Sequence, residues 1–278
     1  MKTPVPVSFE FFPPKTDVGY EKLLKAHDEL KAVNPEFFSV TYGAGGSTQE
    51  RTIETVIELN SRGVPAAPHL SCIGSTEDTV HALLTRYKEA GINRIVALRG
   101  DLPSGMMGTG GDFLHASDLV RYVKTAFGDD FAIEVAAYPE MHPQAQNLDK
   151  DIDHFVAKAN EGADSAITQY FYNVSAYKHF VCEVRKRGCD IEIVPGIMPI
   201  TNYSSLARFS DACGADIPRW MRKALETCGD DVKRIRSIGL NFVAELCNEL
   251  IAAGAPKLHF YSMNQSGPTL AILERLKN

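Results

Sequence analysis

Glu10 stands in Ser8-Phe9-Glu10-Phe11-Phe12-Pro13-Pro14, an acid set among aromatic rings on a segment of extended character. A carboxyl group in such surroundings loses part of its hydration. That loss disfavours the charged form and raises the pKa, as a general acid working near neutral pH requires. The competing reading is a structural ion pair with Arg99 or Lys15. Other short apolar runs also finish in polar residues: Thr41-Tyr42-Gly43-Ala44-Gly45-Gly46-Ser47, a run carrying His69, Arg99-Gly100-Asp101, Tyr138-Pro139-Glu140-Met141-His142, and a run ending at Gln169. Strand ends that deliver acids, imidazoles, an amide and a guanidinium to one rim suit proton transfer on a bound small molecule better than they suit packing.

Several neighbouring motifs are less specific. Gly43 to Ser47 is either a backbone nest for phosphate or a tight turn between strand and helix. It has neither the Gly-Lys-Ser/Thr ending of a P-loop nor the G-x-G-x-x-G spacing of a dinucleotide fingerprint. His69 and His142 have no third ligand at a recognisable spacing and no H-E-x-x-H exists, so no metal is expected. Asp151, His154 and Lys158 fall at i, i+3 and i+7, which places them on one helix face, by default a solvated one. Lys233, Arg234 and Arg236 read as another solvated face, and Trp220 reads as packing. The six cysteines contain no Cys-x-x-Cys pair and read as reduced, mostly structural thiols.

The elements that must position these groups alternate. β-branched and aromatic runs at Val5–Phe11, Phe37–Tyr42, Ala66–Cys72, Arg94–Leu98, Ala132–Tyr138, Ser165–Tyr170, Ile191–Ile197 and Lys257–Ser262 predict eight strands. Helical periodicity lies between them, near 21–32, 48–61, 76–90, 116–127, 148–161, 174–187, 203–213 and 231–253, with a last helix at 267–277. Eight strands in strand-helix order predict an α/β fold, a (β/α)8 TIM-type barrel, formed as one catalytic domain over residues 1–278. The glycine-rich insert Pro103–Asp112 reads as a mobile loop after the fourth strand.

Composition narrows the partners. The chain has 278 residues, 29 Lys+Arg against 35 Asp+Glu, and a net charge of −6, without a basic block for a nucleic-acid backbone. No apolar stretch approaches the ~18 residues of a membrane helix, and Pro4, Pro6 and Glu10 interrupt any signal-peptide core. A cytoplasmic protein without nucleic-acid or membrane partners is expected.

Taken in order, Phe9-Glu10-Phe11-Phe12-Pro13-Pro14, Val40-Thr41-Tyr42-Gly43-Ala44, Pro68-His69-Leu70, Ala97-Leu98-Arg99-Gly100-Asp101, Ala137-Tyr138-Pro139-Glu140 with His142, Ile167-Thr168-Gln169, and His259-Phe260-Tyr261 with Asn264 resemble the methylenetetrahydrofolate reductase family, in its short bacterial form. The resemblance implies a barrel that holds FAD without a Rossmann fold. It implies ping-pong reduction of 5,10-methylenetetrahydrofolate to 5-methyltetrahydrofolate, with NADH or NADPH as hydride source, and a homo-oligomer. Glu10 matches the proton donor, which opens the folate ring at N10 so that the methylene carbon accepts hydride from flavin N5. Asp101 matches an acidic residue beside flavin and pterin, Gln169 a pterin-binding amide, and Phe209 an aromatic packed on substrate or nicotinamide. By the same match, Thr41, Tyr42, Ala44, His69, Arg99, Gly100, Ala116, Tyr138, His142, Ala145, Asp151, His154 and Lys158 line FAD. The chain departs from some relatives at Gln265, where they carry a substrate-holding arginine, at Ser205 in place of a glutamine, and at Ala157 in place of an arginine. Two rival functions remain: another FAD barrel of the proline dehydrogenase sort, and a non-catalytic barrel that binds a folate or nucleotide.

Overall fold

The computed structural model describes residues 3–42, 46–100 and 110–277. Strands and helices alternate from β1 (Val7–Phe11) and α1 (Asp17–Lys31) through β2 (Phe38–Val40), α2 (Gly46–Ser61), β3 (Ala66–Ser71), α3 (Glu77–Glu89), β4 (Arg94–Leu98) and α4 (Ala116–Phe127). They continue with β5 (Ala132–Ala137), α5 (Leu148–Asn160), β6 (Ser165–Thr168), α6 (Val174–Lys186), β7 (Glu192–Val194), β8 (Gly196–Ile197), α7 (Tyr203–Cys213), α8 (Arg219–Glu226), α9 (Val232–Ala252), β9 (Leu258–Tyr261) and α10 (Ser266–Leu273). Every strand pairing is parallel, in the order β7-β6-β5-β4-β3-β2-β1-β9-β8. This is the expected TIM-type barrel.

The seventh expected strand is split. Pro195 has no N–H to continue a ladder, so β7 pairs with β6 while β8 pairs with β9. The chain itself closes the barrel through Pro195, whose carbonyl accepts the His259 N–H at 3.0 Å. The helix α8 was not expected, because its only buried apolar residues are Met221 and Leu225, too few to make a periodic signal. Helix α1 begins earlier than its periodicity suggested: Thr16 caps it by accepting the Gly19 N–H at 3.1 Å. Trp220, expected to pack, keeps 57% of its surface exposed and meets Phe242 edge-on.

Alternation along each strand divides the molecule into two apolar layers. Phe9, Phe11 and Phe38 face the helices, with Phe9–Phe38 and Phe11–Phe38 centroids 5.6 and 5.3 Å apart. Inside the barrel a smaller cluster of Phe37, Ala67, Val96 and Ile167 fills the bore, with Leu98 and Tyr261 packed on it. Below that plug, Arg94 pairs with Glu134, Ser165 bonds Glu134, and Lys257 sits 3.1 Å from Glu36 and 3.0 Å from Glu192. The lower end is therefore closed by charge pairs and the middle by hydrocarbon, which leaves the carboxyl ends of the strands as the open face.

Gly196 is closely packed against the strands on either side of it. A Cβ there would lie 2.1 Å from the Thr168 carbonyl and 2.6 Å from the Tyr261 ring. Gly196→Ala is expected to lose ~1–3 kcal/mol of stability in urea unfolding, whereas Gly267→Ala, where an added Cβ has nothing within 4 Å, is expected to be neutral or slightly stabilising.

Candidate active site

Glu10 projects into the barrel mouth and its side chain keeps 17% exposure. Its sequence neighbours Phe9 and Phe11 point to the opposite face of the strand, into the helix layer. The rings that suggested a dehydrated, neutral acid therefore do not surround the carboxyl. Two other strands supply imidazoles instead: His69 Nε2 from β3, across β2, at 3.2 Å and His259 Nε2 from the adjacent β9 at 3.8 Å, both facing Oε2. Burial pushes the Glu10 carboxyl up, but the charge of His69 and the contacts with His259 together outweigh it and hold the group at about 2. The expected rise is thus reversed, and the structural partner is His69 rather than Arg99 or Lys15. Neither imidazole Nε2 makes an aligned hydrogen bond in this arrangement.

The strand ends are fastened around Glu10. Its carbonyl accepts the Ser262 N–H at 3.2 Å and the Ser262 hydroxyl at 2.6 Å. One residue pair on, Asn264 takes the left-handed conformation (φ 55°) and bonds both backbone polar groups of Phe12, accepting its N–H at 3.0 Å and donating to its carbonyl at 2.9 Å. Gln265, in the place where some relatives carry arginine, is exposed at the N-cap of α10 without a capping side-chain bond.

Most of the other predicted residues that the structure describes lie at or beyond the carboxyl ends of the strands. Thr41 and Tyr42 follow β2 and are half-buried, and burial raises the Tyr42 hydroxyl. Arg99 donates to Gln144 Oε1 at 2.6 Å. Gly100 has φ +86°, and a Cβ there would fall 1.9 Å from Ser71 Oγ, so this turn requires glycine. Ala116 opens α4. Tyr138 and His142 meet edge-to-face at 4.5 Å, the His142 N–H donates to Asp151 Oδ2 at 2.7 Å, and the Ala145 N–H donates to the His142 carbonyl at 2.9 Å. Lys158 donates to the Ala136 carbonyl at 2.6 Å, and burial lowers its ammonium to about 8. His154 is exposed. The Asp151, His154 and Lys158 face is therefore solvated only in part, since Asp151 and Lys158 brace the loop and strand of the rim.

Gln169 turns its amide oxygen onto the Tyr170 N–H at 3.0 Å and shares a small cleft with Tyr138 and Met141. Phe209 on α7 is 39% exposed with Arg208 above its ring. Ala44, Asp101 and most of the Pro103–Asp112 insert lie outside the described residues. A wider groove of about 510 Å³ opens on the outer helices between Asp17, Tyr20, Arg51, Glu58 and Arg86. Its charges pair with one another or with neighbours, as in Arg51–Asp17 and Arg86–Glu50, so the chemistry belongs to the barrel mouth.

Sequence reasoning did not assign roles to Ser8, His259 or Tyr261. Their signal was the parity they share with Glu10: Ser8 and Glu10 on β1, like His259 and Tyr261 on β9, alternate with residues of the helix-facing core.

A parallel barrel whose open face holds a carboxylate between two imidazoles, with Arg99 and Lys158 on the rim, has the build of a barrel enzyme that moves protons at a bound small molecule. The chain belongs to the methylenetetrahydrofolate reductase family, whose model matches residues 2–277. The 5,10-methylenetetrahydrofolate reductase of Escherichia coli strain K12 is 39% identical over 97% of this chain and 90% of its own length. Methylenetetrahydrofolate reductase 1 of Schizosaccharomyces pombe is 40% identical over 99% of this chain, which corresponds to 46% of that relative. Among solved structures, a Clostridium thermocellum protein described as binding two copies of 5-methyl-5,6,7,8-tetrahydrofolic acid superposes with a TM-score of 0.66 at 18% identity, over 98% of this chain and 93% of that one, a likeness of fold.

Because the Glu10 carboxyl is depressed in the folded chain, the stability it contributes is present above its ordinary value of 4.5 and is lost as pH falls toward about 2. Urea unfolding at stepped pH is expected to show the stability gap between the chain and Glu10→Gln closing over that window. A gap independent of pH would contradict the imidazole pairing.

Proposed function

We propose that this barrel, acting as one catalytic unit, reduces 5,10-methylenetetrahydrofolate to 5-methyltetrahydrofolate, with FAD as bound carrier and NADH or NADPH as the source of reducing equivalents. The observation that carries the reading is the Glu10 carboxyl at the open face with two imidazoles on one of its oxygens, in a chain that matches the family from end to end.

The donor set fits an anionic dinucleotide. Arg99 and Lys158 bring positive charge to the rim, His69 Nε2 is buried without an aligned partner, and the loop after β5 presents Tyr138, His142 and Ala145. Thr41, Tyr42, Ala44, His69, Arg99, Gly100, Ala116, Tyr138, His142, Ala145, Asp151, His154 and Lys158 would hold FAD, which when bound supplies hydride. Gln169, Phe209, Asp101 and Gln265 would contact the folate.

This chain's own contribution is the proton and the enclosure. Opening the folate ring requires a proton at N10, and Glu10 is the group that hands it over. The carboxyl rests as an anion, so it takes up a proton at the open mouth before passing it from Oε2 to N10, and it ends with the charge it started with. Asp101, an acid next to the glycine turn, favours the cationic open form of the substrate electrostatically. An amine-oxidising barrel has no use for a proton donor at this position, and a non-catalytic binder has no use for a carboxyl set against two imidazoles.

The test is anaerobic stopped-flow absorbance on the purified holoprotein. Glu10→Gln is expected to keep FAD reduction by nicotinamide and to lose the folate half-reaction by ~10²–10⁴-fold; equal loss in both halves would refute the acid role. Lys158→Ala is expected to weaken FAD retention about 10- to 100-fold, the size of one hydrogen bond to a charged group, as read by flavin fluorescence on dilution.

A further inference from the structure

We propose that Ser8 and His259 form a positioning pair that fixes, from beneath, the orientation and protonation of the Glu10 carboxyl; this rests on Glu10 being the acid of the folate half-reaction. The two residues are direct partners across the seam between β1 and β9. Ser8 Oγ lies 2.7 Å from His259 Nδ1 inside the bore, and His259 is wholly buried. With Nδ1 engaged, only Nε2 remains, and it has no hydrogen-bond partner and faces Glu10 Oε2 at 3.8 Å. A buried polar atom without a partner is costly unless something comes to meet it, and among the described residues the acid that faces it is Glu10.

The ring cannot turn away. Phe37 stacks on one face with centroids 5.9 Å apart, and Tyr261 meets it edge-on at 5.5 Å. Tyr261 is itself fixed, since its hydroxyl donates to the Thr168 carbonyl at 2.7 Å. The Ser8 hydroxyl can donate to Nδ1 or accept from it. When it donates, His259 presents Nε2–H to the carboxylate. When it accepts, the Nε2 lone pair can take a hydrogen bond from a protonated Glu10. The pair therefore supports both charge states through which Glu10 must pass, without any movement of the ring.

The groups facing Glu10 from the packed strands are Ser8 on its own strand, Ser39 at the same register on β2, His69 on β3, and His259 and Tyr261 on β9. Of the two imidazoles, His69 is the one with some exposure to the mouth, where substrate and cofactor arrive. His259 touches neither solvent nor the open face, so it acts through Glu10 and is not itself a catalytic residue.

The experiment is the pH profile of the folate half-reaction for the holoprotein, Ser8→Ala, His259→Gln, and each of these combined with Glu10→Gln. The acid must be protonated to act, so its rate falls as pH rises. Loss of a partner that favours the carboxylate moves that fall to higher pH. We expect the shift to be larger in His259→Gln than in Ser8→Ala, with the plateau rate ~10-fold lower because the carboxyl is no longer held. In the Glu10→Gln background neither substitution should have a further effect.

Infrared titration of the apoprotein gives a readout without turnover: the protonated carboxyl band that is absent in Glu10→Gln should persist to higher pH in His259→Gln. Ser8→Ala removes one buried oxygen and keeps the test available if His259→Gln does not fold. Loss of the folate step in Glu10→Gln with unshifted profiles in both partner variants overturns the pair alone. So do losses of the same size in the Glu10→Gln background. A fully active Glu10→Gln overturns the acid role and this pair with it.

Discussion

The meeting of one carboxylate with imidazoles from two other strands is the constraint around which this barrel is arranged. Such a cluster persists only where water is scarce enough for charge to matter and the backbone is stiff enough to keep the groups within about 4 Å of one another. The hydrocarbon plug of Phe37, Ala67, Val96 and Ile167 supplies the first condition, because it closes the bore below the cluster. Parallel pairing of β1 with both β2 and β9 supplies the second.

Closure of the barrel and assembly of the site are the same event. Glu10 and His259 are 249 positions apart in the chain, and they meet only because β9 lies against β1. The seam is reinforced where the chemistry is: Ser262 binds the Glu10 carbonyl twice, and Asn264 adopts a left-handed conformation to bond both backbone groups of Phe12. The break at Pro195 serves the same end, since it frees a carbonyl for the His259 N–H. These two backbone irregularities fall beside functional side chains, where they aim them.

Much of this was legible beforehand. Alternating strand and helix patterns define a parallel barrel because a parallel sheet needs helices to cross over between its strands, and among the described residues Glu10, Thr41, Arg99, Tyr138 and Gln169 stand at or just past the carboxyl ends of their strands. The helix boundaries at 116–127 and 203–213 coincide with those found in the structure. Less legible were the short α8, with one buried apolar pair, and the exposure of Trp220, whose size favours burial but whose position on α8 leaves it at the surface.

The charge state of Glu10 shows where linear reading ends. Its aromatic neighbours are close in sequence, and a strand sends adjacent side chains to opposite faces, so they dehydrate the helix layer and not the carboxyl. Residue types and spacing by themselves determined the barrel and set a carboxyl at the end of the first strand, because these follow from patterns that each segment carries locally; the family came from a resemblance of motifs in order along the chain. Only the tertiary structure decided which groups the acid meets, and therefore that it rests as an anion beside His69 and above His259 and Ser8. The electrostatic field at a buried atom is set by distances across strands, and no one segment of the chain contains them.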